Sequence, residues 1–257
     1  MNLISVQLYY EEFGKGFPVV LLHGFPFDHT IWEPLLPLLT DKAHVIIPDL
    51  RGLGRSPAPD GIYSMRLLAE DVLDLLNTLK IECAILVGHS MGGYASLAFA
   101  QAYPQRLAGL GLVSTQAGAD APERRQARYQ LAEEVGRKGV KAVADNMAPK
   151  LSQNTERVKS LHKLILQNKA KGVIGCLKGM AERPDALGWL SAITIPAVVV
   201  AGDADAFVPM ERAQTMSQLL GKAWLVKLPG VGHMPMLDAP QATADALNQL
   251  IQMVISG

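Results

Sequence analysis

Short apolar runs alternate with amphipathic patterns along most of this chain, as in parallel sheets that helices cover on both faces. The apolar runs predict seven strands, at 7–11, 19–22, 44–48, 84–87, 107–113, 197–201 and 224–228. Helical periodicity predicts helices near 32–39, 64–79, 92–103, 210–220 and 240–255. The pattern therefore predicts an α/β protein with a mostly parallel, doubly wound sheet.

The segment 64–79 shows a clear amphipathic pattern. Asp71 and Asp74 fall outside its apolar stripe, which is formed by Leu67, Leu68, Val72, Leu75, Leu76 and Leu79. We therefore expect a surface helix whose apolar stripe faces the protein interior, with both aspartates on its polar side.

One stretch, 121–185, breaks the alternation because it is helical and charged and contains no strand candidate. It has 14 Lys and Arg residues against 7 Asp and Glu residues, a formal charge of +7 in a chain whose net charge is zero. We predict a helical lid at 119–187, inserted after the sixth strand, and an α/β core formed by 1–118 and 188–257. The positive charge has two interpretations: ordinary solvated helix faces, or attraction to the core or to an anionic substrate.

Composition favours one globular α/β domain with an insertion. The 257 residues are 49% apolar and 19% charged, and no apolar run reaches the length of a membrane span. Zero net charge argues against general nucleic-acid binding. The chain start lacks a signal-peptide pattern, and its two cysteines show no spacing pattern. We expect a cytoplasmic protein that acts on a small molecule, with no cofactor, metal, membrane or nucleic acid.

Residues 88–92 read Gly-His-Ser-Met-Gly and stand between a predicted strand and a predicted helix. In that context, Gly-x-Ser-x-Gly forms a nucleophile elbow, a sharp turn that exposes the serine hydroxyl above the sheet. The two glycines let neighbouring backbone pass close to the turn, because neither has a Cβ atom. Ser90 is therefore the predicted nucleophile. The alternative is a glycine-rich connection that happens to contain a serine.

A serine hydroxyl needs a base within hydrogen-bond reach, and the chain offers six histidines. His233 is the predicted base, because it lies in a glycine-rich loop after the last strand, at the ligand-binding edge of such a sheet. Two carboxylates compete to orient it, Asp203 and Asp205, both in the loop after the preceding strand. We favour Asp205, because Asp203 lies close to the strand end and suits hydrogen bonds to turn amides.

The other polar candidates are expected to have different roles. His89 adjoins the predicted nucleophile but should point away from it, so we expect it either to pack in the interior or to support the site through a neighbouring residue. His29 could line the pocket, whereas His44 in a strand and His162 in the insertion suit structural roles. Asp238 precedes the last predicted helix and is expected to cap its N-terminus.

The tetrahedral intermediate of acyl transfer also needs two N–H donors, which form an oxyanion hole. One is expected to be the backbone N–H of Met91, at the start of the helix after Ser90. The other is expected to be the backbone N–H of Phe25, in the His-Gly-Phe-Pro turn at 23–26. Since both donors are backbone groups, their side chains are free to shape the pocket.

Together these motifs resemble the α/β-hydrolase family over the whole chain. They are Leu-His-Gly-Phe-Pro at 22–26, Asp-Leu-Arg-Gly-Leu-Gly-Arg-Ser at 49–56, the serine pentad with Gly93, Gly-Asp-Ala-Asp at 202–205 and Gly-His at 232–233. In the second motif, Asp49 and Arg51 are expected to brace their loop. Dehalogenases and epoxide hydrolases of this family would have an aspartate in place of Ser90, so the resemblance implies a serine hydrolase.

Within the family, the compact size and the single helical insertion resemble small carboxylesterases and 3-oxoadipate enol-lactonases. The resemblance implies cleavage of carboxylic esters of small molecules through an acyl-enzyme. Three alternatives stay open: hydrolysis of an anionic enol-lactone, a ligand receptor that keeps the triad but turns over slowly, and acyl transfer to an acceptor other than water.

The start of the insertion bears on the choice between a plain esterase and an enol-lactonase. Arg124, Arg125 and Arg128 open it, and Arg124 and Arg128 share a helical face at i, i+4 spacing. If this face lies at the active-site mouth, an ester that carries a carboxylate should be favoured over its neutral analogue, as the lactonase interpretation requires.

Overall fold

A seven-stranded sheet forms the core of the protein in the computed structural model, which describes residues 6–256. Residues 1–5, on which the signal-peptide prediction depends, lie outside the described residues, as does residue 257. The strands are β1 (Tyr10–Phe13), β2 (Phe17–Leu22), β3 (Ala43–Pro48), β4 (Ala84–His89), β5 (Leu107–Val113), β6 (Ala197–Gly202) and β7 (Ala223–Leu228). Their order across the sheet is β1-β3-β2-β4-β5-β6-β7, and only β1 pairs antiparallel with its neighbour.

Ten α-helices within residues 6–256 connect or extend these strands. None of them combines the length and the apolar character that a membrane span needs. Four short 3-10 helices lie at His29–Leu35, Pro104–Arg106, Ala148–Lys150 and Leu187–Ala192. The α-helices are α1 (Leu36–Leu39), α2 (Met65–Thr78), α3 (Met91–Ala102), α4 (Pro122–Lys138), α5 (Lys141–Met147), α6 (Thr155–Leu166), α7 (Ala170–Ala181), α8 (Met210–Leu219), α9 (Pro235–Asp238) and α10 (Pro240–Ser256).

The predicted mostly parallel α/β sheet is confirmed, and each predicted strand is present with its ends shifted by at most three residues. The predicted helix near 32–39 is only half right: its first half belongs to a 3-10 helix that ends at Leu35, and its second half, Leu36–Leu39, is α-helical. Pro34 and Pro37 lie inside this segment and have no N–H to donate, so a regular α-helix cannot run through it.

Asp71 corrects the prediction for the helix that follows Ser64. Instead of facing outward, its side chain is buried on α2, where both carboxylate oxygens accept hydrogen bonds from the Arg51 guanidinium. The Nε–Oδ2 distance is 2.7 Å. This buried ion pair ties the loop after β3 to α2. Asp49, in the same loop, accepts backbone N–H bonds at 2.7 Å from His29 and Arg55, so Asp49 and Arg51 brace this loop as expected.

The helices α4 to α7, called the helical insertion below, lie between β5 and β6. Within the described residues five strands precede them, so the predicted position after the sixth strand is one strand too late. Helix α7 packs against α4 and lies directly on the core. A Cβ atom added at Gly172 would lie 1.7 Å from the carbonyl oxygen of Gly52, and one at Gly179 would lie 1.7 Å from that of Tyr63. These glycines therefore let the helix backbone touch the core backbone.

Candidate active site

Ser90 occupies the turn between β4 and α3, with backbone angles φ +51° and ψ −111°. A residue with a side chain rarely adopts this conformation, so its surroundings must hold it in place. Its N–H donates to the carbonyl of Val113 on β5 at 3.0 Å, and its own carbonyl accepts from the Thr115 hydroxyl at 2.8 Å. The end of β5 and the segment directly after it thus hold both sides of the turn.

The two glycines of the pentad are required by close backbone contacts. A Cβ atom at Gly88 would lie 2.3 Å from the carbonyl oxygen of Gly92. A Cβ atom at Gly92 would lie 2.3 Å from the carbonyl oxygen of Leu22, at the end of β2. Any larger residue would push the helix away from the strands, so these glycines set the position of Ser90 above the sheet.

His233 is held by Asp205 through a hydrogen bond of 2.8 Å between Nδ1 and Oδ2, and both side chains are almost fully buried. The other Asp205 oxygen accepts the backbone N–H groups of Phe207 at 2.7 Å and Val208 at 3.1 Å. Burial by itself raises the pKa of the Asp205 carboxyl, but the charge and hydrogen bond of His233 and these two N–H groups outweigh it, so the pKa lies below its usual value. The ionised carboxylate assigns the His233 proton to Nδ1 and leaves Nε2 as the basic nitrogen.

Asp203 contacts a different group. Its carboxylate accepts the backbone N–H of Gly230 at 2.6 Å and so joins the loop after β6 to the loop after β7. Of the two aspartates that compete in the sequence, Asp205 is therefore the one that the fold brings to His233.

His89 has the second of the two roles expected for it, because it supports His233. The side chain is fully buried, and its Nε2 lies 2.8 Å from the carbonyl oxygen of His233. Burial and the nearby His233 charge lower the pKa of His89 to about 3, so its ring is neutral and donates the Nε2 proton. Its ring also packs on that of His233, with centroids 4.9 Å apart. His89 therefore positions the backbone of His233, a partner that nothing in the local sequence pattern marks.

Replacing His89 with Leu is expected to lower kcat about tenfold, the effect of losing one hydrogen bond of ordinary strength. The variant His89→Gln can place an amide N–H near the former Nε2 position and should recover part of that loss. Ester hydrolysis and urea unfolding of both variants provide the measurement. Equal kcat losses in the two variants would contradict a positioning hydrogen bond and leave only a packing role.

The loop after β2 brings Phe25 beside Ser90. A Cβ atom at Gly24 would lie 3.1 Å from the Cβ atom of Ser90, so the loop passes directly next to the serine. His23 shapes this loop: its Nδ1 donates to the Gly24 carbonyl at 2.9 Å, while its Nε2 accepts the N–H of Leu50 at 2.8 Å. Burial lowers the pKa of His23, which keeps the ring neutral and able to accept. Met91, the other predicted donor residue, begins α3 directly after Ser90.

A cavity of about 300 Å³ lies over Ser90 and His233. The core contributes mostly apolar walls, and the helical insertion with the 3-10 helix that follows α5 contributes more than half of the lining residues. The sequence pattern does not show which insertion residues face inward. The lining residues are Phe25, Ser90, Tyr94, Arg124, Ala127, Arg128, Leu131, Asn146, Met147, Lys150, Leu177, Met180, Ala206, Phe207, Val208 and His233.

His29 is absent from this lining, which corrects the expectation that it borders the pocket. Its Nδ1 instead bonds to Asp49 at 2.7 Å, and Asp28 lies close enough for the three side chains to resemble a metal-ligand cluster. Both carboxylates already accept hydrogen bonds from the protein. Asp49 accepts from the backbone N–H groups of His29 and Arg55, and Asp28 accepts from Thr30 and so caps the 3-10 helix. The cluster is therefore a loop brace.

Three other polar residues lie outside the cavity lining. His44 and His162 bond to surface carboxylates, in agreement with the structural roles expected for them. The prediction that Asp238 caps the last helix is wrong. It ends α9 and accepts hydrogen bonds from Ser152 and Arg157, so it ties the helical insertion to the C-terminal part of the core.

A parallel sheet with a strained serine between strand and helix, and an Asp-bound histidine beside the same cavity, is the architecture of an α/β hydrolase. The sequence profile of the alpha/beta hydrolase fold matches residues 18–240. The chain therefore belongs to the α/β-hydrolase family.

Its relatives and structural neighbours include esterases and enol-lactonases. The structure of a thermophilic esterase from Thermogutta terrifontis with malate bound is 37% identical, with a TM-score of 0.94 over 97% of this chain and 94% of that one. 3-Oxoadipate enol-lactonase 2 from Acinetobacter baylyi is 28% identical over 96% of this chain and 94% of its own length. 2-(Acetamidomethylene)succinate hydrolase from Mesorhizobium japonicum is 27% identical over 98% and 94%.

Proposed function

We propose that this protein is a serine hydrolase that cleaves carboxylic esters of small molecules through an acyl-enzyme. Ser90 attacks the acyl carbon, while His233 accepts the hydroxyl proton and returns it to the leaving alcohol. Asp205 orients the imidazole and stabilises its protonated form. The backbone N–H groups of Phe25 and Met91 stabilise the oxyanion. Water then attacks the acyl-enzyme, with His233 again as base, and restores the free serine.

One observation carries this proposal. Ser90 and His233 line the same cavity, and His233 is fixed from behind by an ionised, buried Asp205. Such an arrangement supplies a nucleophile, a base of the correct tautomer and a partly enclosed space for an acyl group. The esterase and enol-lactonase relatives support the same reaction class, since both names describe cleavage of a C–O bond at an acyl carbon.

The helical insertion acts as the lid in this proposal, with 119–187 as the lid and 1–118 and 188–257 as the hydrolase core. Its support is the cavity lining, of which more than half comes from the lid. Because the lid closes the space above Ser90, its side chains select the acyl and alcohol groups that fit.

Hydrolysis of an anionic enol-lactone is the second candidate. Three cationic side chains line the cavity, and no carboxylate is among the described lining residues. Asp120, behind this wall, neutralises only part of their charge. The names and ligands of the relatives point the same way, because oxoadipate, substituted succinate and malate are all carboxylates. An enol-lactone is an internal ester, so the same nucleophile and base would open it.

A fluorophosphonate is expected to label one serine per chain, at Ser90, because only an activated hydroxyl reacts readily with it. Intact mass followed by peptide mapping locates the adduct. Ser96→Ala is the matched control, because Ser96 lies on the helix after Ser90 with its hydroxyl bonded to the Gly92 carbonyl. This control should still be labelled, and labelling at any other residue would contradict the proposal.

Turnover of short-chain 4-nitrophenyl esters separates an enzyme from a slow receptor. An enzyme should show a burst of nitrophenol equal to the protein concentration if deacylation limits the rate, followed by steady turnover. A steady rate barely above the blank, with Ser90 still labelled, would instead support a receptor that keeps the triad.

A further inference from the structure

The cavity wall formed by the lid carries positive charge. Arg124, Arg128 and Lys150 line it, whereas Arg125, next to Arg124 on the same helix, is exposed and lines no part of it. The i, i+4 pair that the sequence singles out therefore does face the active site. Lys150, on the short 3-10 helix after α5, adds a third cation to the cavity.

The two arginines share one buried carboxylate, which neutralises only part of their charge. Asp120 forms an ion pair with Arg128, another with Arg183 at 2.9 Å, and a longer one with Arg124 at 3.5 Å. Burial by itself raises the pKa of Asp120, but the arginines lower it below its usual value, so the carboxylate is ionised. Three permanently charged guanidinium groups against one carboxylate leave a surplus of positive charge beside the cavity.

Of the three cations that line the cavity, Lys150 has no carboxylate partner among the described residues. The contact of its ammonium group within residues 6–256 is a 3.3 Å hydrogen bond to the side-chain oxygen of Asn146, a neutral group that also lines the cavity. None of the ion pairs among the described residues includes Lys150. Lys150 is exposed, so its charge is available to a ligand at the open side of the cavity, and salt in the solvent should screen that attraction.

We propose that Arg124, Arg128 and Lys150 form a subsite for a carboxylate that the substrate carries in addition to its scissile ester. The substrate class is then half-esters, or lactones, of dicarboxylic acids. This inference rests on the proposed function, because it places the second carboxylate relative to an ester bound at Ser90. Lys150 and Arg124 bind and orient the anion, and Arg128 contributes charge while it remains paired with Asp120.

The test compares two esters that differ in one group. Mono-4-nitrophenyl glutarate and 4-nitrophenyl valerate have acyl chains of equal length, and only the first ends in a carboxylate. At low salt, kcat/KM should be about tenfold higher for the glutarate ester, and the ratio should fall towards one as ionic strength rises beyond about 0.1 M. The Ser90→Ala protein supplies the blank, which removes spontaneous hydrolysis of the glutarate ester.

Charge variants locate the subsite. Lys150→Gln should lower the glutarate-to-valerate ratio about fivefold, and Lys150→Glu should lower it further, because the charge changes first to zero and then to negative. Arg124→Gln should lower the same ratio. Arg125→Gln is the matched control, since it removes an equal charge from the same helix outside the cavity, and it should leave the ratio unchanged.

Three results would overturn the inference. The glutarate-to-valerate ratio of kcat/KM could be near one at low salt, it could stay constant as ionic strength rises, or Lys150→Gln and Arg125→Gln could change it equally. In each case the valerate ester is still hydrolysed, so the proposed esterase function survives. If neither ester is turned over, the proposed function fails instead. Calorimetric binding of glutarate to the Ser90→Ala protein, with and without Lys150→Gln, then tests the subsite alone, and equal affinities would overturn it.

Discussion

Replacing Ser90 with Ala is expected to lower kcat for ester hydrolysis about a million-fold, by analogy with serine proteases that lose their nucleophile. The fold should be kept, because the turn is held through backbone groups of residue 90 that alanine retains. Its N–H donates to the Val113 carbonyl, and its carbonyl accepts from the Thr115 hydroxyl. The single-turnover rate of ester cleavage and the urea midpoint of unfolding, measured on the same preparation, show whether the variant loses activity while it keeps its stability.

His233→Ala should lower kcat by a similar factor, since nucleophile and base act as one unit. The backbone of His233 is held independently of its ring, by the N–H bond to Leu151 at 3.2 Å and by the carbonyl bond from His89. Unlike Ser90→Ala, this change also leaves the buried Asp205 Oδ2 without its hydrogen-bond partner, so a lower unfolding free energy is expected. An active His233→Ala protein would mean that another base serves Ser90.

Asp205→Asn is expected to lower kcat about ten-thousand-fold, because an amide at this position no longer holds the His233 proton on Nδ1. Asparagine keeps one oxygen for the N–H groups of Phe207 and Val208, so the loop should retain its shape. Asp203→Asn is the matched control: it lies two residues away and keeps the oxygen that accepts from Gly230. Normal activity in Asp205→Asn together with loss in Asp203→Asn would reverse the assignment of the acid.

The same pair of proteins gives a pH test of stability. The pKa of Asp205 is lowered in the folded state, so its ionised form stabilises the fold above the unfolded-state pKa of about 3.9. This contribution is lost as the pH falls through the lower, folded-state pKa. Urea unfolding should therefore show a stability gap between the wild type and Asp205→Asn at neutral pH, and this gap should narrow as the pH falls below the unfolded-state pKa of about 3.9.

The sheet could be predicted because its strands carry their own signal. Parallel strands buried on both faces, such as β4 and β6, are continuous apolar runs, and loop residues interrupt them sharply. The pentad at 88–92 could be found for a similar reason, since the steric demands of the turn restrict two positions to glycine. Pro34 and Pro37 lack the N–H groups that an α-helix needs, and in this segment the pattern predicted an α-helix where the first half is a 3-10 helix.

Burial of charged groups was harder to predict. Asp71 falls outside the apolar stripe of its helix, yet it is buried because Arg51 reaches it from a loop twenty positions away in the chain. Asp120 is buried in the same way among three arginines, two of them in α4 and one after α7. Helical periodicity describes a single element, whereas these ion pairs depend on contacts between elements.

The sequence by itself therefore determined the α/β class, the serine turn, and the histidine and aspartate loops at the edge of the sheet. These features follow from local rules: apolar runs, steric limits on glycine positions, and loops that follow strands. Only the tertiary structure decided between Asp205 and Asp203, joined His89 to His233, and turned Arg124, Arg128 and Lys150 towards the cavity. Those outcomes depend on how separate segments pack in space, because the direction of a side chain towards a distant partner is not encoded in its own neighbours.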